Sequence, residues 1–244
     1  MSNTIYPCIR VKKGEINPRV LVVGDPARAE KISTLLENPK CLVKNREFHT
    51  YIGEYNGIPV TITSHGVGCG GAAIAFESLW RVGAKAIIRV GTCGGMQPNI
   101  TEGEIIIVTG ACREDGVTDK MLPQSYPAIS DISVVNSLIN SAKKHNINIH
   151  TGIVLTQALF YKSFLESTVQ LYSKANVLAM ENEVSSLLVV ASTHNVKAGA
   201  ILTADAPAFE LVGPEGYTPN PEKVSTSVSN QIKIALDALI NIEI

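Results

Sequence analysis

The residues of this chain best suited to chemistry are arginines and carboxylates placed beside glycines at the ends of apolar runs. The stretch from Arg19 to Glu30 reads RVLVVGDPARAE. Its run Val20–Val23 reads as a buried strand. Gly24 permits a tight turn and a close approach of backbone to a ligand. Asp25 is suited to cap a helix that begins at Pro26, which puts Arg28 in that helix's first turn. Backbone N–H groups and the positive end of the helix dipole already favour an anion there. A cation in the same turn opposes the dipole and requires something negative nearby. Glu30 is spaced to point elsewhere around the helix, so phosphate is the partner the pattern suggests.

A second anion candidate is Arg89-Val90-Gly91-Thr92-Cys93-Gly94-Gly95. Arg89 closes an apolar strand, and Thr92 offers a hydroxyl and an N–H in a glycine-rich turn. Such turns form nests of N–H groups that hold anions. One such turn is also an ordinary strand–helix connection, but two that each supply an arginine suit a tetrahedral oxyanion, which the guanidinium fork grips in pairs. Arg46, in Asn45-Arg46-Glu47, reads on its own as a surface charge. In Glu181-Asn182-Glu183 the carboxylates precede an apolar helix. They read either as favoured acids at a helix start or as bidentate acceptors for a diol. Asp205 follows the apolar run Ala200–Ala204, where it is either a turn residue before Pro207 or a carboxyl of raised pKa able to act as general acid. Phe160 and Tyr161 are core residues or a platform for a planar base.

These residues need elements to position them, and strand-like and helix-like segments alternate throughout. Strands are expected at Ile58–Ser64, Lys85–Val90, Glu104–Thr109, Thr151–Thr156 and Ala198–Ala204. Helices are expected at Gly70–Val82, Ser130–His145, Glu183–His194 and Pro221–Ile242. The pattern predicts one α/β domain over 1–244, with a mixed, largely parallel central sheet flanked by helices and ligands at the strand ends. Pro207–Pro221 reads as the mobile loop. With 244 residues, a net charge of −1, 45% hydrophobic and 18% charged residues, neither a nucleic acid nor a membrane is expected as a partner. Five scattered cysteines without a C-x-x-C pair argue against disulfides and a zinc site. A cytoplasmic location without a signal peptide is expected.

Taken in order, Gly24-Asp25-Pro26-x-Arg28-Ala29, Asn45-Arg46-Glu47, Ser64-His65-Gly66-Val67-Gly68, Arg89-Val90-Gly91-Thr92-Cys93-Gly94 and Glu181-x-Glu183 closely resemble the nucleoside phosphorylase family of hexameric purine nucleoside phosphorylases and uridine phosphorylases. The resemblance covers essentially the whole chain. It implies that Gly24, Arg28, Arg89 and Thr92 bind phosphate, and that Arg46 reaches the phosphate of a neighbouring subunit. It implies that Glu183, with Glu181, Asn182 and Cys8, lies at the ribose, and that Phe160, Cys93, Gly94 and Asp205 lie at the base. It further implies a homo-oligomer, a hexamer built as a trimer of dimers, with Arg46 and the Cys8 region donated across the dimer. It implies inorganic phosphate as co-substrate and no metal or organic cofactor.

Asp205, and the absence of the Gln-x-Arg pair by which similar uridine enzymes read uracil, point to the purine branch. Thr92 leans the other way, since purine enzymes often have serine there. Asn182 stands where the family usually has methionine, and Cys8 where it usually has histidine. Lys223 is the one cation near the start of the last helix, where some purine enzymes place an arginine that assists the aspartate. The expected reaction is reversible phosphorolysis of purine ribo- and deoxyribonucleosides to free base and ribose or deoxyribose 1-phosphate, with Asp205 as general acid. The alternatives are uridine or 5′-methylthioadenosine phosphorolysis, a hydrolytic nucleosidase, and an inactive nucleoside binder.

Overall fold

The structure is a computed structural model that describes residues 4–161, 164–208, 211–213 and 220–244. The expected mobile loop Pro207–Pro221 lies mostly outside the described residues. The leading segment folds as its sequence suggests: β1 (Arg19–Val23) runs into α1 (Pro26–Ser33), whose first N–H groups are capped by Asp25 through Ala27 N at 2.8 Å. Along β1 the side chains alternate between two cores. Val20 and Val22 pack with Phe76, Leu79 and Leu187, whereas Leu21 and Val23 pack with Ile32, Leu138 and Leu236. A strand covered on both faces has no polar side, which is why this run is apolar without interruption.

The remaining strands are β2 (Glu37–Asn45), β3 (Phe48–Tyr55), β4 (Ile58–Ser64), β5 (Ala86–Gly95), β6 (Ile105–Glu114), β7 (Ala128–Ile129), β8 (His150–Gln157), β9 (Ala179–Glu181) and β10 (Lys197–Pro207). The other helices are α2 (Cys69–Val82), α3 (Ile132–Lys144), α4 (Val169–Lys174), α5 (Val184–Thr193) and α6 (Pro221–Ile240). α2 and α5 supply residues to the first core, and α1, α3 and α6 to the second. No helix among the described residues is long and apolar enough to cross a membrane.

All ten strands form one mixed sheet. Parallel pairings link β4–β1–β5–β10 and β6–β8–β9, and antiparallel pairings join the rest. Because β5 pairs with both β9 and β10, the path β5–β10–β6–β8–β9 closes into a small barrel, and β1, β4, β3 and β2 extend from it. β5 is the hinge of this arrangement. Arg19–Val22 of β1 lie beside its first half, and β9 lies beside Gly94 and Gly95. Where one neighbour leaves and the other has not begun, the sheet opens, and a crevice at such a switch of partners is where α/β folds bind ligands.

The glycine-rich stretch after Arg89 differs from the turn expected there. Gly91–Gly95 is not a turn but the second half of β5, paired with Leu202–Pro207 of β10 across a register shift between Ala204 and Ala206. None of its glycines adopts a positive φ, so the stretch forms no anion-binding nest. The glycines are there for close approach. A Cβ on Gly94 would lie 2.7 Å from the Ala208 backbone, and one on Gly95 would lie 2.1 Å from the Ile100 carbonyl oxygen. Gly95→Ala should therefore cost about 1–3 kcal/mol, with roughly 2–4 °C of Tm lost per kcal/mol in a chain of this size. Gly70→Ala, in helix α2 with open space around its Cβ, should be neutral or stabilising by about 0.4–1 kcal/mol. Thermal melts of the two variants check this, and equal Tm values would contradict it.

Candidate active site

Two adjoining cavities occupy the opening beside β5. The larger, about 640 Å³, is lined by Gly24, Asp25, Pro26 and Arg28 from the β1–α1 junction, Glu47 from the β2–β3 turn, Gly66 and Val67 after β4, Arg89, Gly91 and Thr92 of β5, and Phe160, Asn182 and Glu183. The smaller, about 90 Å³, is lined by Thr92, Cys93, Gly94, Phe160, Met180, Glu181, Asn182 and Asp205. Thr92, Phe160 and Asn182 belong to both. The residues expected at phosphate on this chain's own side thus meet in the first cavity, and those expected at the base meet in the second.

Arg89 is buried at the centre. Its Nη2 donates to Glu183 and lies 3.2 Å from Glu181 Oε2. Burial pulls the guanidinium down, but the two carboxylates outweigh it and hold the group above its ordinary value. Nε and Nη1 of Arg89 are buried without a hydrogen-bond partner among the described residues. Arg28 is half-buried, and its pKa is lowered by burial first. Repulsion from Arg89 adds to this and attraction from Asp25 and Asp205 opposes it. Two guanidinium groups close enough to repel, one with two buried donors that have no protein partner among the described residues, have the chemistry to accept a compact anion.

The two glutamates differ. Glu181 closes β9 and caps α5. Its carboxylate accepts from the N–H of Glu183 at 2.7 Å, from the N–H of Val184 at 2.9 and 3.1 Å, and from the Thr156 hydroxyl at 2.6 Å. Expected with Glu183 at a diol, it is instead committed to the protein, because α5 begins there and Glu183 at its N-cap makes no capping bond of its own. Glu183 accepts from the Gly68 N–H, at the start of α2, at 2.6 Å and from Arg89. Burial raises both carboxyls. For Glu183, Arg89 and the Gly68 N–H win and the net shift is down, whereas for Glu181, opposed by Arg89 but repelled by Glu183, it is up. Beside them His65 is fully buried, with Nδ1 2.8 Å from the Gly66 carbonyl and its ring edge on Phe76. Burial first, then Arg89, depress its pKa to about 3. His65 is therefore neutral near pH 7.

Asp205, expected at the end of a strand, lies inside β10. Ala204 faces Cys93 and Ala206 faces Gly94, so Asp205 is the extra residue of a β-bulge. Bulges re-aim side chains beside active sites, and this one turns Asp205 into the smaller cavity. Burial raises its pKa, against hydrogen bonds from its own and the Ala206 N–H and the Thr92 hydroxyl and the charge of Arg28. The cation that acts on Asp205 is Arg28, since Lys223 sits on the exposed first turn of α6 with its stem packed over Gly103.

Arg46 and Cys8 line neither cavity. Arg46 is exposed at the tip of the β2–β3 hairpin with φ +53°, and the neighbouring Asn45 Nδ2 donates to the Cys8 carbonyl at 2.7 Å. That bond ties the hairpin tip to the Cys8 segment, while Cys8 itself is partly buried against the first core. Phe160 is 43% exposed, with its ring edge against Tyr161 at a centroid distance of 5.1 Å. Lys162 and Ser163 lie outside the described residues. Sequence spacing assigns no individual part to His65 or Glu47. A histidine between an apolar strand and Gly66 is the available signal for the first, but its burial depends on α2, which spacing does not supply.

The family profile described as "Phosphorylase superfamily" matches residues 18–241. The purine nucleoside phosphorylase of Plasmodium falciparum is 38% identical over 232 residues, covering 94% of each chain. The uridine phosphorylase of Thermococcus kodakarensis is 34% identical over 205 residues, covering 79% of this chain and 74% of its own. Among solved structures, purine nucleoside phosphorylase from Toxoplasma gondii in complex with immucillin-H superposes with a TM-score of 0.93 at 33% identity, covering 99% of this chain and 98% of the other.

Proposed function

We propose, from the premise that this chain belongs to the phosphorylase superfamily, that it is a purine nucleoside phosphorylase, a pentosyltransferase that moves the sugar of a purine nucleoside onto inorganic phosphate. The observation that carries this reading is the pair of arginines around one cavity with a bulge-borne acid in the next. Phosphate takes the free Nε and Nη1 of Arg89 together with Arg28, and is held in line with the anomeric carbon. That is chiefly a positioning contribution. As the bond from C1′ to the base nitrogen breaks, the sugar becomes cationic. Glu183, whose pKa is held down beside Arg89, and the bound phosphate place negative charge next to that cation. A phosphate oxygen forms the new bond to C1′. The electron pair of the broken bond goes to the base, which takes a proton at N7 from Asp205.

The test is a panel of inosine, guanosine, adenosine, 5′-methylthioadenosine and uridine with and without phosphate. Phosphate-dependent cleavage of the purine ribonucleosides is expected, with uridine a poor substrate. Efficient cleavage of uridine alone would move the chain to the pyrimidine branch.

The cavity lining supports a site completed by a second subunit, because Arg46 and the Cys8 segment stand apart from their own chain's cavities. The assembly would be a hexamer built as a trimer of dimers. Arg46→Ala and Asp205→Asn proteins, each nearly inactive alone, should regain activity when mixed under subunit exchange, since one hybrid site then holds both native groups. Hybrids that form but stay inactive would show that Arg46 does not act across the interface.

A further inference from the structure

We infer that Asn182 makes this site selective for ribonucleosides over 2′-deoxyribonucleosides, a reading that rests on the phosphorylase function proposed above. Asn182 is fixed at both its backbone and its amide nitrogen. Its carbonyl accepts from the Cys69 thiol at 3.1 Å, and Nδ2 donates to the Gln157 carbonyl at 2.7 Å. The amide cannot be turned over, because Oδ1 would then face a carbonyl oxygen, acceptor against acceptor. The acceptor end is therefore the end left for a ligand.

Its place decides what meets it. Asn182 is one of three residues common to both cavities. A nucleoside with its base beside Asp205 and its anomeric carbon facing the arginines must cross that junction with its sugar. The hydroxyl adjacent to the anomeric carbon is the 2′-hydroxyl, so it is the donor nearest the junction. Glu183, with Oε1 on Gly68 and Oε2 on Arg89, borders only the larger cavity, so it meets the sugar from the side of the arginines. A 2′-deoxy sugar leaves Oδ1 desolvated and unpaired. A site built to bond a hydroxyl rejects the analogue that lacks it.

The experiment compares kcat/KM for inosine and 2′-deoxyinosine at saturating phosphate, in the wild type and in Asn182→Leu. The wild type should favour inosine by about tenfold or more. In the variant the riboside should lose more of its kcat/KM than the deoxyriboside does, so the ratio of the two falls toward one. A wild-type ratio near one, or a ratio unmoved by the substitution, overturns the inference. If Asn182→Leu does not fold, inhibition of the wild type by ribose 1-phosphate against 2-deoxyribose 1-phosphate tests the same preference, with tighter inhibition by the ribose ester expected and equal inhibition contradicting it. Failure of the purine assignment has a different signature: both inosine sugars are inert while uridine is cleaved. The ratio is then read on uridine and 2′-deoxyuridine.

Discussion

Asp205→Asn should lower turnover of inosine by about 10²–10⁴-fold, the usual worth of a general acid. Asparagine keeps the shape and a hydrogen bond but has no carboxylic proton to give. Burial raises the Asp205 pKa, so the native group keeps its proton to a higher pH than an ordinary aspartic acid. Activity should accordingly fall as pH rises through that raised pKa, and this limb should vanish in the variant. A 7-methylpurine nucleoside already carries the positive charge that protonation would create, so its cleavage should suffer far less. Steady-state kinetics on both substrates across pH check this. Equal losses on both would assign Asp205 a structural role.

Arg89→Met should be the more damaging change, because it acts on catalysis and on stability together. It removes the donor of two free buried nitrogens and a counter-charge in contact with both Glu181 and Glu183. Breaking a buried pair by deleting one partner costs about 3–5 kcal/mol, and phosphorolysis should fall by about 10³-fold or more, a loss of the size expected for a transition-state donor. The pH sign is specific. Without Arg89, both carboxyls have folded pKa values raised above their unfolded ones. Their stabilising contribution is then present below the unfolded pKa and lost as pH rises through the folded pKa. The variant should therefore regain stability as the pH is lowered below neutral, over a range where the wild type gains less. Denaturant melts at several pH values measure this, and a constant gap between the two proteins would contradict it.

Much of the site is legible in the sequence because its parts obey local rules. The Val20–Val23 run, Asp25 as a cap, Pro26 at the first helical position and Arg28 behind it are all set within a few residues of each other. Gly91–Gly95 is not legible as a strand, because glycine is the residue of turns. Here it is demanded by the Ala208 and Ile100 backbones, whose approach no local spacing announces. The bulge at Asp205 depends on the register between β10 and β5, which one strand cannot reveal. The β2–β3 hairpin turns at Arg46 and Glu47 with Arg46 in the left-handed region, without the Asn-Gly or Asp-Gly signal that marks such turns. Glu181 and Glu183 look equivalent in sequence. The start of α5 separates them, since the first caps the helix and the second faces the larger cavity.

In the proposed reaction Arg28 and Arg89 hold phosphate as a reactant, not as a bystander. The most direct measurement is to incubate the native enzyme with inosine and inorganic phosphate and follow the phosphorus by ³¹P NMR while free base is quantified. The account predicts one ribose 1-phosphate formed for each hypoxanthine released, and no base release when phosphate is withheld. Base released at the same rate without phosphate, with free ribose as the sugar product, would contradict it.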